Sequence, residues 1–171
     1  MRLADLNELP NAAAARELLR CCGSTRWARE MAQARPFAAV AAVAAAADKI
    51  SDTLDAADWL EAFAAHPRIG ESSRSGRSGG SGEPATSEWS QQEQAGVHGA
   101  SGAVRERLAV RHRDYEARFG YIFIVCATGK SAEEMLASLE RRLAHNPSDE
   151  LRVAAQEQRK ITHLRIAKLF Q

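Results

Sequence analysis

The sequence predicts an all-α protein: a single-domain helical bundle with one extended segment near residues 121–127 and a flexible, Gly/Ser-rich loop at residues 71–87. Alanine is abundant and aromatic residues make up only 6% of the chain, which favours helices over sheets. The run from Tyr121 to Ala127 is β-branched and aromatic, as strands are. Because the chain offers it no strand partner, we expect it to cross the bundle unpaired.

Bulk properties exclude several classes of protein. The 171 residues suffice for one core, so residues 1–171 are expected to form a single domain. The net charge of +1, with interspersed signs, gives no footprint for nucleic acid. The apolar run at 37–47 is too short to span a bilayer, and the N-terminus lacks the apolar core of a signal peptide. Three cysteines without metal spacing suit a reducing compartment, so we expect a soluble, cytoplasmic protein without membrane contact.

Helices are predicted along most of the chain from apolar periodicity and from their end signals. After an entry turn at residues 6–10, they are expected at 12–22, 24–35, 37–50, 58–65, 91 onward, 103–119, 131–145 and 148 to the C-terminal end. Ser24 is a candidate N-cap, and Ser131 with Glu134 forms a capping box. Gly120 should end the helix before the extended segment. The loop at 71–87 could be a lid or a tolerated surface insertion, and composition does not decide between them.

His66 is the first candidate for chemistry. Pro67 disfavours helical geometry in the residue before it, so a helix should stop at His66. The negative end of the helix dipole would favour the protonated imidazole and bring its titration toward neutral pH. A histidine that merely covers free carbonyl groups is the structural alternative.

Ser90, Glu93 and Gln94 are the second candidate group. Ser90 and Glu93 fit a capping box, which is a purely structural interpretation. The same turn could direct these side chains into one cleft, where the N–H groups of a helix start would bind an anion. A carboxylate beside His66 would fix its tautomer and raise its pKa.

Arg165 is an anomaly in the last helix. It lies between Ile161 and Leu169 inside the apolar arc of that helix. A guanidinium in such a position needs a partner. An internal salt bridge and a ligand carboxylate or ureido group are both open alternatives.

The remaining candidates are weaker. The segment at 121–127 could present main-chain N–H and C=O groups to a ligand rich in amides, or be a buried crossing. The other histidines lack metal-ligand spacing, and His112 and His163 are expected at the surface. A metal hydrolase built on His66 and Glu93 would need a third ligand, and none has suitable spacing.

Together these residues resemble the 2-oxo-4-hydroxy-4-carboxy-5-ureidoimidazoline (OHCU) decarboxylases of urate breakdown. The matching pieces, in chain order, are Cys21-Cys22-Gly23-Ser24 with Trp27-Ala28, Arg35-Pro36-Phe37, His66-Pro67-Arg68-Ile69-Gly70, Ser90 with Glu93-Gln94-Ala95-Gly96, Phe119-Gly120-Tyr121 running into Phe123-Ile124-Val125-Cys126-Ala127, and Lys160-Ile161-Thr162 with Leu164-Arg165-Ile166. They extend over nearly the whole chain. The loop at 71–87 departs from the family, which commonly has a helical connection there.

The resemblance implies an all-α bundle that decarboxylates OHCU to (S)-allantoin and needs neither metal nor organic cofactor. His66 matches the family's catalytic acid/base and Glu93 the carboxylate that works with it. The positions that match substrate contacts are Pro67, Ser90, Gln94, Phe123, Val125 and Arg165, with Phe123 and Val125 matching through their main chain. The expected partner is the small ureidoimidazoline substrate, and the assembly could be a homodimer. A non-catalytic helical ligand-binding or interaction module is the competing interpretation.

Overall fold

The structure is a computed structural model that describes residues 1–68, 89, 92 and 100–171. Eight helices have described bounds, and the part of the chain with described structure contains no strand. The helices are α1 (Leu3–Glu8), α2 (Asn11–Leu19), α3 (Thr25–Gln33), α4 (Val40–Ser51), α5 (Ala56–Ala64), α6 (Gly102–Phe119), α7 (Ala132–Arg142) and α8 (Pro147–Leu169). The predicted all-α class is confirmed. The predicted loop at 71–87 and the helix start at Gln91 lie outside the described residues.

The chain divides into two compact units. Unit 1 consists of Met1–Ala62 and Gln158–Gln171, and unit 2 consists of Phe63–Glu157. Two helices, α5 and α8, pass from one unit into the other along the chain. Across the residues described, no helix is both long enough and apolar enough to cross a membrane.

Unit 1 is built on α1 to α4, with α2 packed against α3 and α3 against α4. Trp27 is fully buried, and its indole nitrogen donates to the carbonyl of Ala47 at 3.4 Å. Ser24 caps α3 as predicted, since its hydroxyl accepts the N–H of Trp27 at 3.2 Å. These contacts bury the indole of α3 against α4.

Helix α1 was not predicted, because the sequence there indicated only an entry turn. Its start is closed by Arg2 and Asp5, whose carboxylate accepts the main-chain N–H of Arg2 at 3.0 Å. The guanidinium of Arg35 donates to the carbonyls of Leu6 and Leu9, the latter at 2.7 Å. Arginine is not a usual N-cap residue, so the capping signal was absent from the sequence pattern.

Unit 2 packs α6 against α7 around one hydrophobic cluster. The cluster is formed by Leu108, Tyr115, Phe123, Val125, Ala127, Ala132, Met135, Leu136 and Leu139. Gly120 ends α6 with a φ of +80°, a conformation that glycine adopts without strain. The Ser131 and Glu134 capping box at the start of α7 is present as predicted.

Candidate functional site

The described site residues fall in both units. His66, Pro67, Phe123 and Val125 belong to unit 2, and Arg165 belongs to unit 1. The other three candidates, Ser90, Glu93 and Gln94, lie outside the described residues.

His66 lies two residues beyond the end of α5. Its main-chain N–H donates to the carbonyl of Phe63 at 3.1 Å, which closes the last turn, and the residue is half-buried. The Phe63 ring packs against the ring of Tyr121, with centroids 5.3 Å apart. The helix end that carries His66 is therefore attached to the first residue of the segment at 121–127.

The two residues after His66 lead to a second attachment. Pro67 is exposed. The Arg68 guanidinium donates from Nε and Nη2 to the two carboxylate oxygens of Glu116 on α6, at 2.8 and 2.9 Å. These bonds hold the pKa of Glu116 below its usual range. His66 and Pro67 are thus held between two anchored residues, Phe63 and Arg68.

Along the segment at 121–127, side chains alternate between the hydrophobic cluster of unit 2 and positions outside it, as they do in an extended chain. Phe123, Val125 and Ala127 belong to the hydrophobic cluster of unit 2, whereas the intervening Ile124 and Cys126 are buried outside it. A period of about two residues is the period of extended backbone. The prediction of an extended segment that does not pair as a strand is therefore confirmed.

Side chains bond to main-chain groups of Ile124 and Cys126 in this segment. The carbonyl of Ile124 accepts from Arg142 Nη1 at 2.7 Å, and the N–H of Cys126 donates to Glu157 Oε2 at 2.8 Å. Lys130 Nζ donates to the carbonyl of Cys126. The protein therefore holds one edge of the segment through three side chains.

Phe123 and Val125 present the opposite edge. Within the described structure, no hydrogen bond is made to the main-chain N–H or C=O of Phe123 or Val125. Both residues are buried, at 5% and 7% exposure. Buried main-chain polar groups are almost always paired, so this edge has donors and acceptors to offer a small molecule.

A buried polar network lies behind the segment. Glu150 on α8 is fully buried and accepts from Tyr115 Oη, from Arg142 Nε at 2.8 Å and from Arg142 Nη2 at 2.6 Å. His145 Nδ1 lies 2.8 Å from the other Glu150 oxygen. Burial and the bond to Glu150 raise the pKa of Tyr115. The guanidinium of Arg142 also lies 4.5 Å from the centre of the Phe123 ring.

His112 is not at the surface, and that prediction was wrong. The residue is 8% exposed on the face of α6 that also carries Leu108 and Tyr115, and its ring lies 5.8 Å from that of Phe123. Its Nε2 is buried without a hydrogen-bond partner among the described residues. Burial lowers the pKa of His112 to about 4, so the imidazole is neutral at pH 7. The flanking arginines suggested a surface position, although the helical spacing of His112 from Leu108 and Tyr115 places it on the buried face of α6.

Arg165 is buried in unit 1, as its place in the apolar arc of α8 predicted. It is 3% exposed, and its Nη1 lies 3.4 Å from the carbonyl of Arg20. Two adjacent thiols, Cys21 and Cys22, are close enough to feel its charge. Burial nevertheless raises the pKa of Cys21 to about 12 and that of Cys22 to about 11, so both remain protonated.

Metal-ligating side chains do not gather in the described structure. No group of three His, Cys, Asp or Glu residues there could hold a metal ion. What the described geometry of unit 2 offers instead is an imidazole at a helix end and a main-chain edge without a hydrogen-bond partner among the described residues. These groups can bind a small polar molecule and move a proton.

These features describe an all-α fold whose unit 2 carries a candidate site for a small polar ligand. The family model for OHCU decarboxylase matches residues 7–167. The chain therefore belongs to the OHCU decarboxylase family, and the resemblance drawn from its motifs is confirmed.

Individual relatives agree with this assignment. The chain is 39% identical over 150 residues to the "Uric acid degradation bifunctional protein TTL" of Arabidopsis thaliana, a match that covers 88% of this chain and 45% of the relative. It is 27% identical over 145 residues to the OHCU decarboxylase of Haloferax volcanii, covering 84% and 81% of the two chains. The chain spans about half the length of the first curated relatives it matches.

The fold agrees as well. A crystal structure of OHCU decarboxylase in the presence of (S)-allantoin superposes with a TM-score of 0.76 at 36% identity, covering 90% of this chain and 96% of that one. A crystal structure of (S)-allantoin synthase, 21% identical, has the same fold, with a TM-score of 0.69.

Proposed function

We propose that this protein is an OHCU decarboxylase, which converts 2-oxo-4-hydroxy-4-carboxy-5-ureidoimidazoline to (S)-allantoin and CO₂ in urate breakdown. Family membership supports the reaction class. The observation that carries the proposal is the main-chain edge of Phe123 and Val125, which has no hydrogen-bond partner among the described residues and lies in the same unit as the helix end of His66. The substrate is a compact ring rich in amide and ureido groups, which such an edge can bind.

The substrate supplies its own electron sink. Its carboxylate is on a carbon next to a C=N group, so the electrons of the breaking C–C bond move into that group as CO₂ leaves. The hydroxyl on the same carbon then loses its proton, the neighbouring carbon gains one, and the nitrogen that received the electrons takes up a further proton from water. The protein must therefore orient the ring, accept one proton and deliver another to a single face.

The residues divide these tasks among them. His66 takes the hydroxyl proton or returns one to carbon, and Glu93 sets the tautomer and basicity of its imidazole. Contacts from Pro67, Ser90 and Gln94 orient the substrate. Arg165 binds a carboxylate or ureido group through its planar guanidinium. A single approach of the proton donor yields one enantiomer.

We extend the proposal to the state of the protein in the cell. Residues 1–171 act as a single decarboxylase domain, since the family model covers 7–167. All three cysteines are buried as thiols rather than joined in disulfides, which supports a cytoplasmic location. A homodimer is the proposed assembly, and the molar mass in solution tests it.

The decisive experiment is chiral detection of allantoin from freshly generated OHCU. We expect excess (S)-allantoin and faster loss of OHCU than in buffer, where decay gives both enantiomers. Racemic product at the buffer rate would reject the enzyme proposal. Calorimetric binding of (S)-allantoin without turnover would identify a ligand-binding module instead.

A further inference from the structure

In the segment at 121–127, main-chain groups of Ile124 and Cys126 are hydrogen-bonded by side chains from two helices. Arg142, at the end of α7, bonds the carbonyl of Ile124, and Glu157 on α8 accepts the N–H of Cys126. A strand inside a sheet is fixed by neighbouring strands, whereas no strand occurs among the described residues. The orientation of this segment is therefore set by individual side chains.

We propose that Arg142 and Glu157 are positioning residues for the decarboxylation. By holding the main chain of Ile124 and Cys126, they fix the orientation in which Phe123 and Val125 face the substrate. This inference rests on the proposed function.

The alternation of extended backbone links the two edges. Main-chain groups of successive residues point to opposite sides, so the groups of Ile124 and Cys126 point away from those of Phe123 and Val125. Rotation of the segment about its own axis moves both edges together. Loss of the hydrogen bonds to Ile124 and Cys126 must therefore change the direction of the main-chain groups of Phe123 and Val125.

The contacts of Arg142 fix its guanidinium in a single orientation. One guanidinium nitrogen, Nη1, serves Ile124, while Nε and Nη2 bind Glu150 and the plane lies against the Phe123 ring. The side chain is 3% exposed, so its direction is fixed by these contacts. A lysine ammonium can pair with Glu150 but cannot reproduce the planar fork.

Glu157 provides the cleaner pair of variants because it is only half-buried. Glu157→Ala removes the acceptor for Cys126, and Glu157→Gln keeps an oxygen there. Glu140→Ala is the matched control, since Glu140 on α7 pairs with Arg107 in the same unit. Arg142→Lys is the second variant, with Arg107→Lys as its control.

Two measurements separate positioning from mere stability. Steady-state kinetics with OHCU should show KM raised about tenfold in Glu157→Ala, with kcat within about twofold, because the lost interaction binds substrate and transition state alike. Amide ¹⁵N–¹H shifts of Phe123 and Val125 should move in the same variant. Glu157→Gln should restore both, and Arg142→Lys should resemble Glu157→Ala.

The inference is overturned if Glu157→Ala keeps the wild-type KM and shifts, or if Glu157→Gln fails to rescue them. A fall in kcat alone would also reject it. If Arg142→Lys unfolds, the Glu157 pair still decides. If the wild-type protein makes no (S)-allantoin, the proposed function fails, and the amide shifts still test the coupling of the two edges.

Discussion

Arg68 donates two parallel hydrogen bonds, of 2.8 and 2.9 Å, to the carboxylate of Glu116, which lies 48 residues later in the sequence. The pair attaches the chain just after His66 and Pro67 to the last turns of α6. Because α6 leads through Gly120 into the segment at 121–127, the same helix positions both the helix end of His66 and the main-chain edge. The ion pair therefore bears on the geometry of the candidate site more than on overall stability.

Glu116→Gln should destabilise the protein only slightly and in a pH-dependent way. Arg68 is half exposed, so the pair contributes under about 1 kcal/mol. The folded pKa of Glu116 lies below the usual 4.5, so this contribution is present above that value and lost as pH falls through the folded pKa. Urea unfolding at pH 7 and pH 3 measures it. A difference between variant and wild type that grows on acidification would contradict the assignment.

His66→Ala and Glu93→Ala should each lower stereospecific turnover by at least about 100-fold, the usual minimum for loss of a general acid or base. His66 is half-buried at a helix end, so His66→Ala should keep the helical circular dichroism spectrum. His163→Ala is the control, because His163 pairs with Asp48 on the surface of unit 1. Wild-type kcat in both site variants would reduce these residues to helix caps.

Arg165→Lys should lose at least about tenfold in kcat/KM with a near-normal melting temperature. Lysine keeps the charge but not two parallel hydrogen bonds, and a bond to a charged group is worth about 1.5–3 kcal/mol. Arg152→Lys, on the exposed face of α8, is the matched control. If lost stability explains the lost activity, or if kcat/KM is unchanged, Arg165 is structural.

His112→Gln should make stability less sensitive to mild acid. The pKa of His112 is about 4 in the folded protein and near 6.5 when unfolded, so the unfolded chain binds more protons between these values. Wild-type stability should therefore fall by about 2 kcal/mol from pH 7 to pH 5, and the variant should lack this part of the fall. Urea titrations at both pH values, with His163→Gln alongside, measure the difference. Parallel wild-type and His112→Gln curves would place the imidazole in water.

Exhaustive dialysis against EDTA should leave the proposed decarboxylase activity unchanged. The reaction as proposed needs only the substrate's C=N group and protein side chains. Inductively coupled plasma analysis of the dialysed sample verifies metal removal. Loss of turnover that added Zn²⁺ restores would reject the cofactor-free mechanism.

Local signals were sufficient to predict most of the helical fold. Ser24, Gly120 and Ser131 act within a few residues of their own position, and each ends or begins a helix where its chemistry requires. The extended segment was predictable because a β-branched run without a partner strand has few other options. Burial of Arg165 followed from the helical wheel of α8 alone.

Long-range polar contacts were not predictable in the same way. Tyr115, Arg142 and Glu150 are separated by up to 35 positions, and each looks like an ordinary helix residue by itself. Only the packed structure selects which carboxylate accepts from which donor. His112 carried a usable signal, its spacing of four from Leu108 and three from Tyr115, but the adjacent arginines obscured it.

The three buried thiols make local opening of this protein measurable by chemical labelling. Cys21 and Cys22 are buried in unit 1, and Cys126 is buried in unit 2. None of them forms a disulfide. A thiol reagent can react with them only when the surrounding structure opens. Peptide-resolved labelling would therefore time the opening of each unit separately, in native buffer and without any engineered reporter.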